Sequence, residues 1–262
     1  MAAGIPEFLA LATALAEESG AIVTRYFRRA LAVEDKADLS PVTVADREAE
    51  AAMRRRIKAA FPGHGIVGEE HGAERADADY VWVLDPIDGT KSFITGKPLF
   101  GTLIALLHEG RAILGVIDHP ALGERWTGAA GTPTRHNGKA VRTRPCAALV
   151  GAAVYSTSPF MFAQAADAAA YERLRQGVKL ALFGADCYAY GLVASGFADL
   201  VVEASLKPYD YCAVIPVVEG AGGVISDWQG RPLGLGSDGR VLAAGDGRAH
   251  AEALALLATA AG

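Results

Sequence analysis

The hydrophobic positions near the start of the chain repeat with the period of an α-helix. Apolar residues recur at helical spacing over residues 6–29, which predicts an amphipathic first helix. After a break at residues 38–41, a second helix is predicted over residues 45–61, with Asp46 in its first turn, where acidic side chains are favoured. The run Phe61-Pro62-Gly63 ends this helix.

Short apolar runs dominate the rest of the first half and predict β-strands. The predicted strands cover residues 65–68, 80–84, 102–107, 112–117 and 124–127. The strand predicted over residues 80–84 is continuously apolar, and Asp85-Pro86 is expected to end it. The pair Asn137-Gly138 predicts a tight hairpin turn.

The second half alternates predicted strands with predicted helices, which is an α/β pattern. Strands are predicted over residues 150–155, 180–183, 200–203 and 223–226, and helices over residues 160–176, 187–195 and 211–219. Because the composition shifts near residues 142–146, two halves are predicted, 1–144 and 145–262. The first would carry most of the candidate ligands described below.

Composition then narrows the class of protein. The 262 residues are 51% hydrophobic and 21% charged, which is typical of a folded globular chain. Thirty acidic against 25 basic residues give a net charge of −5, which argues against a nucleic-acid partner. No apolar run approaches the roughly 18 residues that would span a bilayer, so no membrane partner is expected.

Three cysteines without CxxC spacing are expected to be free thiols in a reducing compartment. The first residues do not show the basic and apolar blocks of a secretory signal. Cytoplasm is therefore the expected location.

The sharpest chemical feature is the run Asp85-Pro86-Ile87-Asp88-Gly89-Thr90 at the end of an apolar strand. A tight turn there would let the two aspartates converge. The helix expected to open at Gly89-Thr90 would present free N–H groups to an anion such as phosphate. Two carboxylates beside a phosphate would repel it unless cations lay between them, so the run implies a metal.

Two further acids can complete a metal site. Glu69 follows a predicted strand, and Asp210 begins a predicted helix. All these candidate ligands are oxygens, which favours Mg²⁺ or Mn²⁺ over zinc or copper. Several carboxylates around one phosphate suggest two ions, about 3.5–4 Å apart, that polarise the ester and activate water.

Three motifs in order resemble the signatures of the inositol monophosphatase family, from Lys36 to about Gly223. They are Glu69-Glu70, then Asp85-Pro86-Ile87-Asp88-Gly89-Thr90, and then Asp210 followed by Glu219-Gly220-Ala221-Gly222-Gly223. The resemblance implies a layered α/β fold, an αβαβα sandwich, that usually forms a homodimer. It also implies a phosphoric monoester hydrolase that uses Mg²⁺, with two or three ions per site and Mn²⁺ able to substitute.

The resemblance also implies a role for each motif residue. Glu69, Asp85 and the carbonyl of Ile87 would hold one metal ion. A second would be held by Asp85, Asp88 and Asp210. The catalytic residues Thr90 and Asp46 would orient a water near Glu69, and the backbone N–H groups of Gly89 and Thr90 would bind the phosphate. Water activated by metal would attack directly, without a phosphoenzyme.

Each residue also has a purely structural interpretation. Asp85 and Asp88 could form a turn that caps a helix, and Asp46 or Asp210 could do the same in a first turn. Glu69 and Glu70 could be a solvated acidic pair at a strand end. Lys36 could be a surface lysine or an electrostatic aid near the site, and the six histidines are expected to be structural or exposed.

Two acids point to the substrate. Glu203 stands where the family has a glutamate that contacts the leaving group, and Asp186 departs from the small residue usual in inositol-acting members. Two carboxylates would suit a cationic alcohol, although Asp186 could also be a free surface acid. The segments 90–93, 123–126 and 207–211 look closer to the histidinol-phosphatase members.

Histidinol phosphate, in histidine biosynthesis, is therefore the predicted small-molecule substrate. Inositol 1-phosphate is the first alternative, and a broad sugar-phosphate or nucleotide phosphatase is the second. A binding or regulatory protein with the family fold is a further alternative. It would be favoured by the loss of a ligand acid or by a basic patch, and the sequence has neither feature.

Overall fold

The computed structural model of the chain describes residues 4–29, 33–35 and 41–258. Lys36, considered above as an electrostatic aid, lies outside the described residues. Within them the α-helices are α1 (Ile5–Tyr26), α2 (Val44–Ala60), α3 (Thr90–Ile94), α4 (Ala165–Gly177), α5 (Tyr188–Ala194), α6 (Pro208–Tyr211), α7 (Val214–Gly220) and α8 (Gly247–Ala258).

The strands of the first half form a two-stranded ribbon and a large sheet. They are β1 (Val33–Asp35), β2 (Pro41–Thr43), β3 (Gly65–Gly68), β4 (Gly72–Glu74), β5 (Tyr80–Asp88), β6 (Gly101–His108), β7 (Arg111–His119), β8 (Glu124–Ala129), β9 (Thr132–His136) and β10 (Lys139–Ala140). β1 pairs with β2, and the large sheet has the order β10-β9-β8-β7-β6-β5-β3-β4.

The strands of the second half form a smaller sheet. They are β11 (Ala153–Ser156), β12 (Leu180–Phe183), β13 (Leu200–Glu203), β14 (Val224–Ser226) and β15 (Val241–Ala244), in the order β12-β11-β13-β15-β14. β11 runs parallel to β12 and β13, whereas β15 runs antiparallel to β13 and β14. The division of the chain at residue 144 stays a prediction.

Four apolar clusters among the described residues hold these elements in five layers. α1 and α2 cover one face of the large sheet, and Phe8, Ala12 and Leu15 show the expected helical spacing of buried residues. The other face of the large sheet packs on α5 and α7, which in turn pack on the small sheet. α4 and α8 cover the outer face of the small sheet. The predicted αβαβα order is confirmed.

Several predicted boundaries were wrong for identifiable reasons. The helix expected over residues 211–219 is split into α6 and α7, because Pro216 has no N–H to donate to the carbonyl of Cys212. The helix expected from residue 160 begins at Ala165, since Phe162 turns into the core and stacks on Tyr171. The strand expected over residues 150–155 is β11, and Val150 lies in an exposed 3₁₀ turn before it.

The Asn137-Gly138 turn is confirmed. Both residues have positive φ, 46° and 78°, and Lys139 pairs with His136 across the turn. No helix in the described ranges combines the length and the apolar character needed to cross a membrane.

Candidate active site

Asp85 and Asp88 converge because β5 contains a bulge. The strand was expected to end at Asp85-Pro86, but it continues to Asp88. Asp85 pairs with Leu103 and Asp88 with Gly101, so β5 has one residue more than β6 between these two pairs. In a regular strand, residues three apart point to opposite faces, and the extra residue brings both carboxylates to the same side.

Asp210 joins them from the second half of the chain. It occupies the third position of α6, where one of its oxygens, Oδ2, accepts a hydrogen bond from the backbone N–H of Lys207 at 2.7 Å. Asp85, Asp88 and Asp210 each offer an oxygen atom within 4.8 Å of the others. Asp210 is thus both a helix-capping residue and a member of an acidic cluster.

Glu69 lies beside Asp85 because β3 is the parallel neighbour of β5. Gly68 pairs with Leu84, and the next N–H, that of Glu69, donates to the carbonyl of Leu84 at 3.2 Å. The negative charge of Glu69 contributes to raising the pKa of Asp85. The first-half motifs are therefore brought together by pairing of adjacent strands.

Burial and mutual repulsion oppose ionisation of the acidic cluster. Burial, and then the charges of Glu69, Asp88 and Asp210, raise the pKa of Asp85 well above its usual value. Burial is also the main cause that raises the pKa of Asp88, followed by the charges of Asp186 and Asp210. It raises the pKa of Asp210 to about 7.

The donor set fits a hard divalent cation. Asp85 is only 1% exposed, and a buried carboxylate is costly unless a positive charge compensates it. The clustered atoms are carboxylate oxygens without histidine or cysteine, which is the chemistry that Mg²⁺ and Mn²⁺ prefer. These residues therefore fit the predicted magnesium site.

The predicted ligand Ile87 lies inside the bulge. Its N–H donates to Asp85 Oδ1 at 2.9 Å, and its carbonyl accepts a hydrogen bond from Thr90 Oγ1 at 3.1 Å. A carbonyl oxygen has two lone pairs, so the bond from Thr90 leaves one for another partner.

Gly89 is required where β5 passes into α3. It has φ of 82°, and a Cβ atom there would lie 3.0 Å from Cγ of Asp186. Both the backbone conformation and the close approach of Asp186 favour glycine. Gly89 and Thr90, the predicted phosphate-binding residues, therefore lie directly beside the predicted specificity residue.

Asp46 is fixed at the start of α2. Its Oδ2 accepts hydrogen bonds from the backbone N–H and the hydroxyl of Thr43, at 2.8 and 2.6 Å. Its Oδ1 is buried without a hydrogen-bond partner among the described residues. Burial raises the pKa of Asp46, and the charge of Glu69 adds to the shift. Asp46 thus caps the helix and keeps one oxygen available beside Glu69.

A cavity of about 200 Å³ opens next to the acidic cluster. Its lining is Glu69, Asp88, Gly89, Thr90, Lys91, Thr157, Asp186, Cys187, Tyr190, Glu203, Leu206 and Asp210. Both predicted specificity acids line it, together with most of the predicted ligands. Within the described part of the chain, no histidine is in this lining.

Asp186 is not a free surface acid. It is half-buried and accepts a hydrogen bond from the hydroxyl of Ser92 at 2.6 Å. Burial raises its pKa, against the opposing effects of Ser92 and two lysines.

Glu203 is almost completely buried, with 2% exposure. Thr157 donates to its Oε1 through both N–H and hydroxyl, at 2.9 and 2.6 Å, and the hydroxyl of Tyr190 donates to Oε2 at 2.7 Å. These three donors hold the carboxylate in one orientation at the cavity wall.

The sequence did not indicate several residues that shape this site. Thr157 and Tyr190 hold Glu203, and the backbone N–H of Cys187 donates to Asp88 Oδ2 at 2.7 Å. These partners are between 13 and 99 residues apart in the chain. Local spacing therefore carries no signal for them.

Comparisons with known proteins agree with this geometry. The inositol monophosphatase family matches residues 5–261. The Arabidopsis thaliana protein named "Bifunctional phosphatase IMPL2, chloroplastic" is 52% identical over 259 residues, 95% of this chain and 75% of its own. A histidinol-phosphatase from Chlorobaculum parvum is 41% identical and covers 90% of this chain and 91% of its own.

A solved structure described as an inositol monophosphatase from Zymomonas mobilis superposes with a TM-score of 0.90. It is 45% identical and covers 98% of this chain and 100% of its own.

Proposed function

Since the chain belongs to the inositol monophosphatase family and is a phosphatase, we propose that it hydrolyses histidinol phosphate to histidinol and phosphate, a step of histidine biosynthesis. The observation that carries the proposal is the cavity in which Asp186 and Glu203 lie next to the acidic cluster. The histidinol-phosphatase relative supports the same choice.

The acidic cluster would hold two or three Mg²⁺ ions, and Mn²⁺ could substitute for them. Glu69, Asp85 and the Ile87 carbonyl would hold one ion. The second ion would be held by Asp85, Asp88 and Asp210. Bound Mg²⁺ would supply the positive charge that draws in the phosphate ester and makes water more acidic.

Asp46 and Thr90 would orient the attacking water and help to remove its proton. The unpartnered Oδ1 of Asp46 is an acceptor in a buried setting, and the hydroxyl of Thr90 is held in place by the Ile87 carbonyl. A positioned acceptor of this kind contributes to general base catalysis. The backbone N–H groups of Gly89 and Thr90 would bind the phosphate oxygens.

The two cavity acids would select a cationic leaving group. Histidinol carries an ammonium, and Asp186 offers it a half-buried carboxylate. Glu203 already accepts three hydrogen bonds, so it contributes mainly its charge and its fixed position. A neutral polyol would gain no ion pair from either acid.

Inositol 1-phosphate is the second candidate, because the superposed protein with 45% identity is described as an inositol monophosphatase. The test is a phosphate-release assay with histidinol phosphate, inositol 1-phosphate, fructose bisphosphate and an adenosine bisphosphate, each with Mg²⁺. We expect the highest kcat/KM for histidinol phosphate. A preference for inositol 1-phosphate would overturn the first choice, and full activity in a chelator would refute the metal site.

A homodimer with neither nucleic acid nor membrane as a partner remains part of the proposal. A cytoplasmic location is likewise proposed and not shown, because one relative is named as chloroplastic.

A further inference from the structure

A buried ion pair on α2 contacts the backbone of the turn that carries Glu69. Glu50 is completely buried and Arg54 is 8% exposed. Arg54 Nε donates to Glu50 Oε1 at 2.7 Å, one helical turn along α2. Neither residue lines the cavity beside the acidic cluster.

The carboxylate of Glu50 accepts two backbone hydrogen bonds directly after Glu69. The N–H of Glu70 donates to Oε2 at 2.7 Å, and the N–H of His71 donates to Oε1 at 3.1 Å. Arg54 Nη2 in turn donates to the carbonyl of Gly72. One ion pair therefore bonds to three consecutive residues, two in the turn after β3 and the third at the start of β4.

The same carboxylate also lies against the residue before Glu69. A Cβ atom on Gly68 would be 2.1 Å from Glu50 Oε1, so only the hydrogen of glycine fits there. Glu69 is thus held from both sides, by Gly68 against Glu50 and by the bonded N–H of Glu70.

Asp46 lies four residues before Glu50, on the same face of α2. Burial, and to a lesser extent the charge of Glu69, raises the pKa of Asp46. One face of α2 therefore presents a proposed catalytic residue and a carboxylate that fixes the Glu69 turn. An ion pair elsewhere on the helix would not share a face with the proposed catalytic residue and also bond to the Glu69 turn.

We propose that Glu50, together with Arg54, is a positioning residue that sets Glu69 for metal binding. This inference rests on the proposed role of Glu69 as a metal ligand. Residues that orient metal ligands typically contribute 10- to 100-fold to metal affinity. Because the ion pair is internally neutral, it adds no net negative charge beside the acidic cluster.

Glu50→Gln is the most direct variant. The amide presents one acceptor and one donor where the carboxylate presents two acceptors, so at least one N–H of the turn or of Arg54 would face another donor. Arg54→Lys is a milder variant, which keeps the charge but loses the fork that reaches both Glu50 and Gly72. Asp167→Asn is the matched control, since Asp167 is 5% exposed, pairs with Arg240 at 2.9 Å and lies outside the cavity lining.

The readout is the affinity of each folded, metal-free protein for Mn²⁺ by calorimetry, followed by kcat/KM at limiting and saturating Mg²⁺. We expect Glu50→Gln to weaken Mn²⁺ binding about 10-fold or more. A smaller loss is expected for Arg54→Lys, with activity recovering at high Mg²⁺ in both. Asp167→Asn should lower the melting temperature and leave the affinity unchanged.

The outcomes separate this inference from the proposed function. If the unmodified protein does not bind Mn²⁺, the metal site itself is refuted. If it binds and neither ion-pair variant weakens binding, the positioning role is refuted. An equal loss in Asp167→Asn would show general loosening of the fold and would also refute it. If Glu50→Gln does not fold, Arg54→Lys alone decides.

Discussion

At the scale of single residues, Asp85 combines a cost to the metal-free fold with a proposed role in catalysis. Its neighbours Glu69, Asp88 and Asp210 all oppose its ionisation. Asp85→Asn removes this buried ionisable group and its repulsion with the neighbouring acids, while the amide oxygen can still accept the hydrogen bond from Ile87. We expect the variant to melt at a higher temperature in chelator and to lose several orders of magnitude in kcat with Mg²⁺. Thermal melts in chelator test the expected gain in stability, and phosphate release with Mg²⁺ tests the expected loss of kcat. A variant that keeps its activity would contradict the bridging role.

Asp186 allows a test of substrate choice without a change of metal ligands. A charge-assisted hydrogen bond to an ammonium contributes roughly 1.5–3 kcal/mol, or about 10- to 150-fold in kcat/KM. Asp186→Asn can retain the hydrogen bond from Ser92, so we expect a selective loss on histidinol phosphate and little change on glycerol phosphate. Asp210→Asn is the comparison and should depress both. Equal losses on both substrates for Asp186→Asn would remove its proposed role.

His119 makes stability depend on pH. Burial lowers its pKa from 6.5 to about 4, so the folded protein keeps it neutral. The unfolded chain takes up a proton as the pH falls below about 6.5, and the folded one does so only near pH 4. Stability is therefore lost as the pH falls through this window, by about 3 kcal/mol in total. Urea unfolding at pH 7 and pH 5 should show a smaller loss in His119→Gln; identical losses would assign the effect to other groups.

At the scale of elements, the contact between the large sheet and α7 depends on two glycines in adjacent strands. A Cβ atom on Gly115 of β7 would lie 1.9 Å from the carbonyl oxygen of Ala213, just before α7, and one on Gly128 of β8 would lie 2.2 Å from that of Pro216. Each position needs backbone to approach backbone directly. The middle helical layer can therefore lie close enough to the sheet for Asp210 to reach Asp85.

Gly115→Ala should destabilise the protein by about 1–3 kcal/mol or more, because the backbone of α7 would have to shift. Gly151 is the control, since a Cβ atom there would meet nothing within 4 Å. Gly151→Ala should change stability by no more than about 0.5 kcal/mol. The measurement is the free energy of unfolding in urea. Similar values for the two variants would mean that α7 can move at little cost.

The same elements show what the sequence could and could not predict. Strands with continuous apolar runs and the Asn137-Gly138 turn were predictable because their signals are local. β15 and α8 were not predicted, and the α6–α7 break required the effect of Pro216 on a hydrogen bond to be considered. The motif acids were recognisable in sequence, whereas Glu50 was not, because its contacts with Glu70 and His71 join residues about 20 positions apart.

At the scale of the whole molecule, the acidic cluster links the large sheet to the helical layer between the sheets. Asp85 and Asp88 belong to the large sheet, and Asp210 belongs to the helical layer between the sheets. A cation that binds all three stabilises only the folded arrangement. We expect Mg²⁺ to raise the melting temperature with concentration, by the equivalent of about 2.7 kcal/mol at 100 times its dissociation constant. A melting temperature that does not change in millimolar Mg²⁺ would count against the metal site.

The placement of the site residues also bears on how such proteins diversify. Glu69, Asp85 and Asp88 belong to the large sheet and its turn, while Thr157, Asp186 and Glu203 come from the small sheet and its loops. Drift in the small sheet can therefore change which alcohol fits the cavity while selection holds the large-sheet carboxylates constant. Proteins of one ancestry can then diverge towards different phosphate esters through changes confined to one side of the cavity.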